Sequence, residues 1–496
     1  MKNGFVYIVG AGPGDPGLIA QKSVEALHDA DCVIYDYLAN KELLSRLDCE
    51  IIYVGKKGGD HTLSQDGINR LIIEKAREGK SVVRLKGGDP FIFGRGGEEA
   101  EDLKKEGIPF IIIPGISSFY SAPAYAGIPL THRDYSNSFE VITGHRRADS
   151  PEEDINFPEY NSEKTYVFLM GMKNIQHIST KLINEKNFPE NTPVGVISWG
   201  TRPEQQVVTG DLKKIPEIVK VSLIKPPAII VIGGVVKLRE KLRWFDNLPL
   251  FGKKIVVTRT RSQASVLSKM LAQLGARVVE FPTIEIKPEE NISELSKAID
   301  NIQQYNWIIF TSQNAVKIFF QILSDMGFDA RKLNNVFIAA IGPATAKELN
   351  NYFIKPDLIP SEYVAEEIIA EMKKIGIKGK VVLLPCAKSA RKTLKDGLID
   401  LGAKVDRIHI YDSVIPDHID DELVNEIKSA DIISFTSSST AKNFFTLVKD
   451  TNARLACIGP ITADAVNKLS HTPDIIASEY TIEGLVKAIL ELIEKD

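Results

Sequence analysis

The stretch VVRLKGGDPFIFGRGGEE, residues 82–99, decides how the chain is read. A β-branched strand, Val82 to Leu85, runs directly into Gly87-Gly88-Asp89-Pro90, and Gly94, Gly96 and Gly97 follow in the same short loop. Glycines at the end of a strand let backbone N–H and C=O groups come close to a ligand, because no Cβ intervenes. Asp89 can accept hydrogen bonds from a ribose or an amine, and Arg84, Lys86 and Arg95 surround the loop with positive charge. The bland alternative is a turn that only closes a sheet, with Asp89 as its capping carboxylate. Two glycine clusters, one acid and three bases in one window favour a ligand site.

On either side of this stretch, short β-rich runs alternate with helical ones. FVYIVG, CVIYDY and EIIYVG read as strands and LIAQKSVEALHDA as a helix, which predicts α/β layers. TYVFLMG, TPVGVISWG and PAIIVIGG add strands up to Gly234. The segment 237–254, ending in KLRWFDNLPLFGKK, breaks the pattern with Pro249 and Gly252 before a fresh strand, KIVVTRT. A domain boundary is expected there, giving domains 1–245 and 250–496.

The second domain carries an internal repeat. WIIFTSQNAVKIFF (307–320) returns as IISFTSSSTAKNFF (432–445), FIAAIGPATAKEL (337–349) as LACIGPITADAV (455–466), and PDLIPSEYVAEEIIAEM (356–372) as PDIIASEYTIEGLVKAI (473–489). Each unit reads strand, Ser/Thr loop, helix, strand, Gly-Pro loop, helix. Two α/β lobes are expected, one of about 250–287 plus 415–496 and one of about 288–414. VVEFPTIEI (278–286) and VDRIHIYDSVI (405–415) read as the two extended strands joining them. The Ser/Thr loops then fall at strand C-termini, the edge where open α/β sheets bind ligands.

Composition narrows the class. The chain has 496 residues, 44% hydrophobic and 25% charged, with a net charge of −4 that argues against general nucleic-acid binding. No apolar run approaches the ~20 residues needed to span a bilayer. The start, MKNGFVYIVGAG, already reads as strand and loop, so no leader and a cytoplasmic location are expected. Cys32, Cys49, Cys386 and Cys457 are scattered and form no C-x-x-C pair, so neither a metal site nor a disulfide framework is signalled. The loop VGAGPGD (9–15) suggests a dinucleotide site, with Asp36 as its ribose acid. However, the third glycine of G-x-G-x-x-G is replaced by Asp15, and Pro13 removes an amide.

Taken in order, VGAGPGDPGLI (9–19), VIYDYL (33–38), VGKKGGDH (54–61), the 82–99 stretch, PGISSFYSAPAYAGIPLTHR (114–133), TGH (143–145), LMG (169–171) and WGT (199–201) resemble the uroporphyrinogen-III C-methyltransferases over about 240 residues. That resemblance implies the two-lobed tetrapyrrole methyltransferase fold and S-adenosylmethionine as cofactor. It implies a cofactor pocket lined by Pro13, Gly87, Gly88, Asp89, Ile92, Ser117, Ser118, Met170, Gly200 and Ala228; Ser118 stands where the family has alanine. It also implies Asp36 as proton acceptor and Lys56 as proton donor, where the bland alternative is a structural ion pair. A substrate macrocycle rich in carboxylates needs cationic walls. Arg84, His132 and Arg133 are the chosen candidates, with Lys57, His61, Lys86, His145, Arg146 and Arg147 beside them. Any one of these would more often be a solvated surface residue. Family members resemble homodimers.

The second domain resembles uroporphyrinogen-III synthase, a flavodoxin-like two-lobed α/β fold with two connecting strands. The resemblance implies loss of water from hydroxymethylbilane, ring D inversion and closure to uroporphyrinogen III. Tyr411 would assist departure of the hydroxyl. Ser312, Asn314, Thr345, Ser437, Ser438, Ser439 and Thr462 would orient the substrate, and Arg259, Lys388 and Arg391 would hold carboxylates. For each hydroxyl the alternative is a helix N-cap. Strict alternation along RIHIYDSVI predicts Arg407, His409 and Tyr411 on one face and Ile408, Ile410 and Asp412 on the other. The expectation is a bifunctional enzyme that makes uroporphyrinogen III and methylates it at C2 and C7 to precorrin-2. Precorrin-2 feeds sirohaem, cobalamin or related cofactors. Neither a chelatase nor an NAD module is expected. The rivals are an NAD-dependent oxidoreductase built on the 9–15 loop, and a methyltransferase fused to a non-catalytic two-lobed ligand-binding module.

Overall fold

The structure is a computed structural model that describes residues 4–45, 47–55, 63–144, 155–258, 261–361, 365–416, 419 and 421–495, without the side chains of 261–265 and 421–422. The chain divides into two compact units. One is Met1–Ile255 with Lys269–Val278 and Ile493–Asp496; the other is Val256–Ser268 with Val279–Leu492.

The first unit begins with β1 (Phe5–Gly10), β2 (Cys32–Tyr35), β3 (Glu50–Tyr53), β4 (Ser81–Lys86) and β5 (Phe110–Ile113), in the spatial order β3-β2-β4-β1-β5 and all parallel. Both faces are covered. On one side Ile68 and Ile72 of helix Gln65–Arg77 and Ala100 and Leu103 of helix Gly96–Lys105 pack on Val6, Ile8, Ile34 and Val82. On the other, Ala26 and Leu27 of helix Gln21–His28 pack on Val9, Val33, Val83 and Leu85. That explains why the strands are mostly apolar and rich in Val and Ile, with Arg84 and Lys86 of β4 as the buried exceptions. Burying Ile72 or Leu103, each 1% exposed, contributes about 2 kcal/mol. β1 and β4 are neighbours, yet the helices that follow them lie on opposite faces. Such a switch point opens a crevice at the carboxyl edge of the sheet.

A second sheet follows: β6 (Ser138–Thr143), β7 (Lys164–Leu169), β8 (Pro193–Ser198), β9 (Gln206–Asp211) and β10 (Ala228–Ile232), ordered β6-β7-β10-β8-β9. β6 and β7 pair in parallel, and the other pairs are antiparallel. The C-terminal ends of β7 and β8 and the start of β10 share one edge. The segment after β10 is part of this fold. Trp244 and Phe245 pack their rings 4.9 and 4.8 Å from that of Tyr125, and Trp244 Nε1–H donates to the Ala124 carbonyl at 3.1 Å. Gly127, at φ +72°, lets it pass: a Cβ there would lie 2.5 Å from the Arg243 nitrogen.

The remaining strands are β11 (Lys254–Val257), β12 (Arg277–Glu280), β13 (Glu285–Pro288), β14 (Trp307–Phe310), β15 (Phe337–Ala340), β16 (Val381–Ala387), β17 (Lys404–Val414), β18 (Ile432–Phe435), β19 (Arg454–Cys457) and β20 (Ile475–Ile476). They form two sheets, ordered β12-β11-β18-β19-β20 and β13-β17-β16-β14-β15. The second is entered and left at one point, since Glu285 of β13 pairs with Val414 of β17.

The repeat is physical as well as textual. Phe310 packs edge-on against Phe319 at 5.4 Å, and Phe435 against Phe444 at 5.5 Å. Asp357 Oδ2 accepts from the Ile338 amide at 2.7 Å, and Asp474 Oδ2 from the Leu455 amide at 2.7 Å. Ser312 and Ser437 cap the helices Gln313–Asp325 and Ser438–Val448.

Along β17 the expected alternation fails. The register with β16 shifts between Cys386 and Ala387, so that Cys386 pairs with His409 and Ala387 with Tyr411. Ile410 is the extra residue of a β-bulge, which resets the faces. Tyr411 therefore points inward with Ile408 and Ile410, at 5% exposure, while His409 is exposed.

Candidate active sites

At the β1/β4 crevice the two glycine loops bond to each other. The Gly88 amide donates to the Gly12 carbonyl at 2.7 Å, Gly12 returns to Gly88 at 3.2 Å, and Ala11 donates to Lys86 at 2.7 Å. Gly12 and Gly88 have φ of +78° and +68°, which disfavours any side chain. A Cβ on Gly87 would lie 2.4 Å from that of Leu38, and one on Gly115 would lie 2.2 Å from the Gly88 carbonyl oxygen. Asp89 ties a third loop in, its Oδ1 accepting from the Phe91 amide at 2.8 Å and its Oδ2 from the Gly115 amide at 3.0 Å. Both oxygens thus hold backbone, and each retains a lone pair for a ligand. Ser117 and Ser118 stand beside Gly88 where helix Ser118–Tyr125 begins.

The second sheet contributes the loop after β8. Gly200 packs against Ala122, where a Cβ would lie 2.2 Å from the alanine Cβ. Thr201 Oγ1 accepts from the Asp15 amide at 3.1 Å, and the Tyr125 hydroxyl donates to Asp15 Oδ2 at 2.7 Å. Pro13 and Gly200 are thereby drawn to one place. Met170 (φ +57°, 52% exposed) and Ala228 lie on the same sheet edge, and Ile92 is 40% exposed on the 82–99 loop. An open glycine cradle, backbone amides, one carboxylate and half-exposed apolar side chains form a donor set that fits S-adenosylmethionine.

Beneath the edge lies a buried charge cluster. Arg84 is only 2% exposed. Its Nε donates to Glu99 Oε1 at 3.1 Å and its Nη2 to Asp36 Oδ2 at 3.2 Å. Lys86 Nζ donates to the same Glu99 oxygen at 2.8 Å. Burial, and then the neighbouring Arg84, push the Lys86 ammonium below the usual lysine range. Arg84 is thus sequestered from solvent, not presented on a wall as expected. Asp36 is brought together with Arg84, whereas among the described residues no hydrogen bond or ion pair links His132 or Arg133 to the site. His132 Nδ1 accepts from the Asp134 amide at 3.2 Å, and Arg133 is exposed. Lys56 lies outside the described residues, as do Lys57, His61, His145, Arg146, Arg147 and Arg259.

In the second unit the hydroxyls gather at carboxyl edges. Tyr411 and Ser312, 99 residues apart, bond through their hydroxyls at 2.8 Å, while Ser312 Oγ also caps the Ala315 amide at 3.1 Å. Burial pushes the Tyr411 phenol up, and the Ser312 bond partly offsets this. Arg391 is exposed in the loop after β16, and the Lys388 amide there donates to the Tyr411 carbonyl at 2.8 Å. Thr345 and Thr462, 3% and 5% exposed, take equivalent places one turn into helices Pro343–Asn350 and Pro460–Asn467. Around the other sheet Ser437 is the N-cap, Ser439 lies 3.0 Å from its hydroxyl, and Ser438 Oγ donates to the Ile461 carbonyl at 3.0 Å.

Comparison with known proteins accounts for both regions. Residues 6–216 match the family model of tetrapyrrole (corrin/porphyrin) methylases, and residues 265–487 match that of uroporphyrinogen-III synthase. A porphyrin biosynthesis protein of Ruminiclostridium josui is 38% identical over 501 residues, spanning 99% of both chains. The chain belongs to the family of fused tetrapyrrole methylases and uroporphyrinogen-III synthases. A uroporphyrinogen-III C-methyltransferase of Bacillus subtilis is 42% identical over 68% of this chain and 70% of its own. One from Methanocaldococcus jannaschii is 48% identical over 48% of this chain and 98% of its own. The first unit is hereafter the methylase and the second the synthase.

Three residues of the methylase site carried no sequence signal strong enough to single them out. Glu99 sits among four acids in a helix that reads as solvated. Tyr125 and Thr201 act through hydroxyls that bond across 110 and 186 residues.

Proposed function

We propose that the two halves of this bifunctional tetrapyrrole-biosynthesis enzyme act in succession. The synthase would close hydroxymethylbilane to uroporphyrinogen III with loss of water and inversion of ring D. The methylase would then methylate that macrocycle at C2 and C7 to give precorrin-2. Family membership makes S-adenosylmethionine the methyl donor. When bound, it supplies an electrophilic methyl group on a sulfonium. The chain's own task is placement and proton handling. Gly87, Gly88, Asp89, Ser117, Ser118, Pro13 and Gly200 would hold the donor, with Ile92, Met170 and Ala228 on its apolar side. As the new C–C bond forms, the macrocycle must lose a proton. Asp36, fixed by Arg84 at 3.2 Å, is the acceptor in this reading. In the synthase, Tyr411 would hydrogen-bond the departing hydroxyl while Ser312 holds the phenol in place. Thr345, Arg391, Ser438, Ser439 and Thr462 would orient the bilane.

The observation that carries the reading is the Ser312–Tyr411 pair in a chain that also holds the interlocked Gly12/Gly88/Asp89 loops. The test feeds hydroxymethylbilane and methyl-labelled S-adenosylmethionine to the purified full chain. Two labelled methyl groups per macrocycle are expected. Label entering only when uroporphyrinogen III is supplied would reduce the synthase unit to a binding module. A homodimer formed through the methylase and a cytoplasmic location complete the proposal. Sedimentation tests the first and cell fractionation the second. Among the described residues no helix is long and apolar enough to cross a membrane.

A further inference from the structure

The side chain of Glu99 is out of solvent. Its Oε1 takes three donors: Lys86 Nζ at 2.8 Å, Arg84 Nε at 3.1 Å and Gln65 Nε2 at 3.2 Å. Its Oε2, equally buried, has no partner among the described residues. Buried polar atoms are nearly always paired, so a carboxylate that leaves one oxygen bare is arranged for something other than its own solvation. One oxygen here locks two cations. Gln65 also donates to Asn69 at 2.9 Å, and Asn69 to Asp102 at 2.7 Å, so the lock is braced by two helices. With Nε held, the Arg84 guanidinium places Nη1 on the Leu85 carbonyl at 3.0 Å and Nη2 on Asp36 at 3.2 Å. Arg84 and Lys86 carry two positive charges, and Glu99 and Asp36 two negative ones. The cluster is neutral only while Asp36 is ionised, and an unbalanced buried charge is costly.

We propose that Glu99 is a positioning residue for methyl transfer: it fixes Arg84 against Asp36, and its negative charge offsets the two cations that would otherwise weaken Asp36 as the base. The inference rests on the reading of Asp36 as proton acceptor. In that step the methylated carbon becomes quaternary and its ring an iminium; a proton leaves the adjacent bridging methylene for Asp36, and the pair of that C–H bond forms a C=C that neutralises the ring nitrogen. Among the described residues, the charged groups facing Asp36 are Arg84 and Lys86 from β4, with Glu99 behind them. Tyr53 of β3 feels Asp36 together with Tyr35, Tyr37 and Lys41.

The test follows uroporphyrinogen III methylation by the full chain as kcat and KM across pH. Glu99→Gln leaves two buried cations with Asp36 as their one counter-ion. The acid limb of kcat is expected to move down by about one pH unit or more, with a lower plateau. The KM for S-adenosylmethionine should stay within about twofold, since the cradle is untouched. Lys86→Met removes a cation and should move the limb up. Glu99→Asp keeps the charge and should restore the wild-type limb. Opposite displacements are a signature of charge that a merely structural role does not produce. If Glu99→Gln fails to fold, Lys86→Met alone decides. Displacement of both limbs in one direction, or of neither, overturns the inference. Asp36→Asn separates the premise: wild-type turnover there removes the base itself, whereas loss of turnover with an unmoved Glu99→Gln limb removes only the role of Glu99.

Discussion

Replacing Asp89 by alanine strikes the point where three loops meet. Two bonds go: the exposed one to the Phe91 amide at 2.8 Å and the partly buried one to the Gly115 amide at 3.0 Å. A hydrogen bond to a charged acceptor contributes about 1.5–3 kcal/mol when sheltered and less in solvent. Roughly 0.5 kcal/mol for the first and about 1.5 kcal/mol for the second give a loss of about 2 kcal/mol. Gly115 sits in a tight place, since a Cβ built on it would lie 2.2 Å from the Gly88 carbonyl oxygen and 2.7 Å from the Gly10 Cα. If ordered loops are a condition of binding, affinity falls about 30-fold. Asp89→Asn keeps one acceptor oxygen and turns an NH2 towards the other amide, so it should lose about tenfold. Calorimetry with S-adenosylhomocysteine on the full chain reads both, with thermal unfolding as the control for structure. Cyclisation of hydroxymethylbilane should be unaffected in either variant. A folded Asp89→Ala chain that binds within twofold of wild type would refute the view that this carboxylate organises the cradle.

Tyr411→Phe should keep the fold, at a cost of about 1 kcal/mol for the lost Ser312 bond, yet slow ring closure. Separated isomers after brief incubation should then show more of the uninverted type I product; an unchanged ratio removes Tyr411 from the chemistry. Gly87→Ala forces a Cβ to 2.4 Å from that of Leu38 and should destabilise by roughly 1–3 kcal/mol. Gly97→Ala, in a helix with nothing within 4 Å, should stabilise by about 0.5–1 kcal/mol, so thermal unfolding should rank the two in opposite directions. Burial raises the thiols of Cys32 to about 11 and Cys457 to about 12, from an unfolded value near 9.0. A raised acid stays protonated in the fold while the unfolded chain ionises, so stability should fall as pH climbs from about 9 through 12. Denaturant midpoints across that window should decline less steeply in Cys457→Ala; an equal decline would place the titration elsewhere.

The alternation of strands and helices, the repeat and the glycine loops were legible in sequence because each is local. The pattern V-V-R-L-K ending in Gly-Gly needs no partner to be read as a strand meeting a ligand edge. What escaped was non-local. Arg84 read as a surface cation because nothing adjacent in sequence shows that Glu99, fifteen residues on, lies beneath it. The face of Tyr411 was misjudged because a bulge is decided by the register between β16 and β17, and RIHIYDSVI alone carries no sign of it. Ser312 was legible as both cap and candidate ligand. Its bond to Tyr411 confirms that one hydroxyl can hold a helix end and a neighbouring side chain together.

The pairing of Glu285 with Val414 bears on the order in which the synthase acquires its structure. The sheet β12-β11-β18-β19-β20 is made from strands on either side of the sheet β13-β17-β16-β14-β15. Thr258 and Ser434, which bond across it at 2.8 Å, are 176 residues apart. Closing so long an unfolded loop costs about 4–5 kcal/mol of chain entropy. The interposed sheet needs nothing beyond Val414, so it can form during synthesis while β18 is still unmade. Once formed, its entry and exit stand side by side, and the loop that remains between β12 and β18 is short. A synthase with β13 or β17 weakened should therefore fold slowly in the other sheet, whose own residues are untouched.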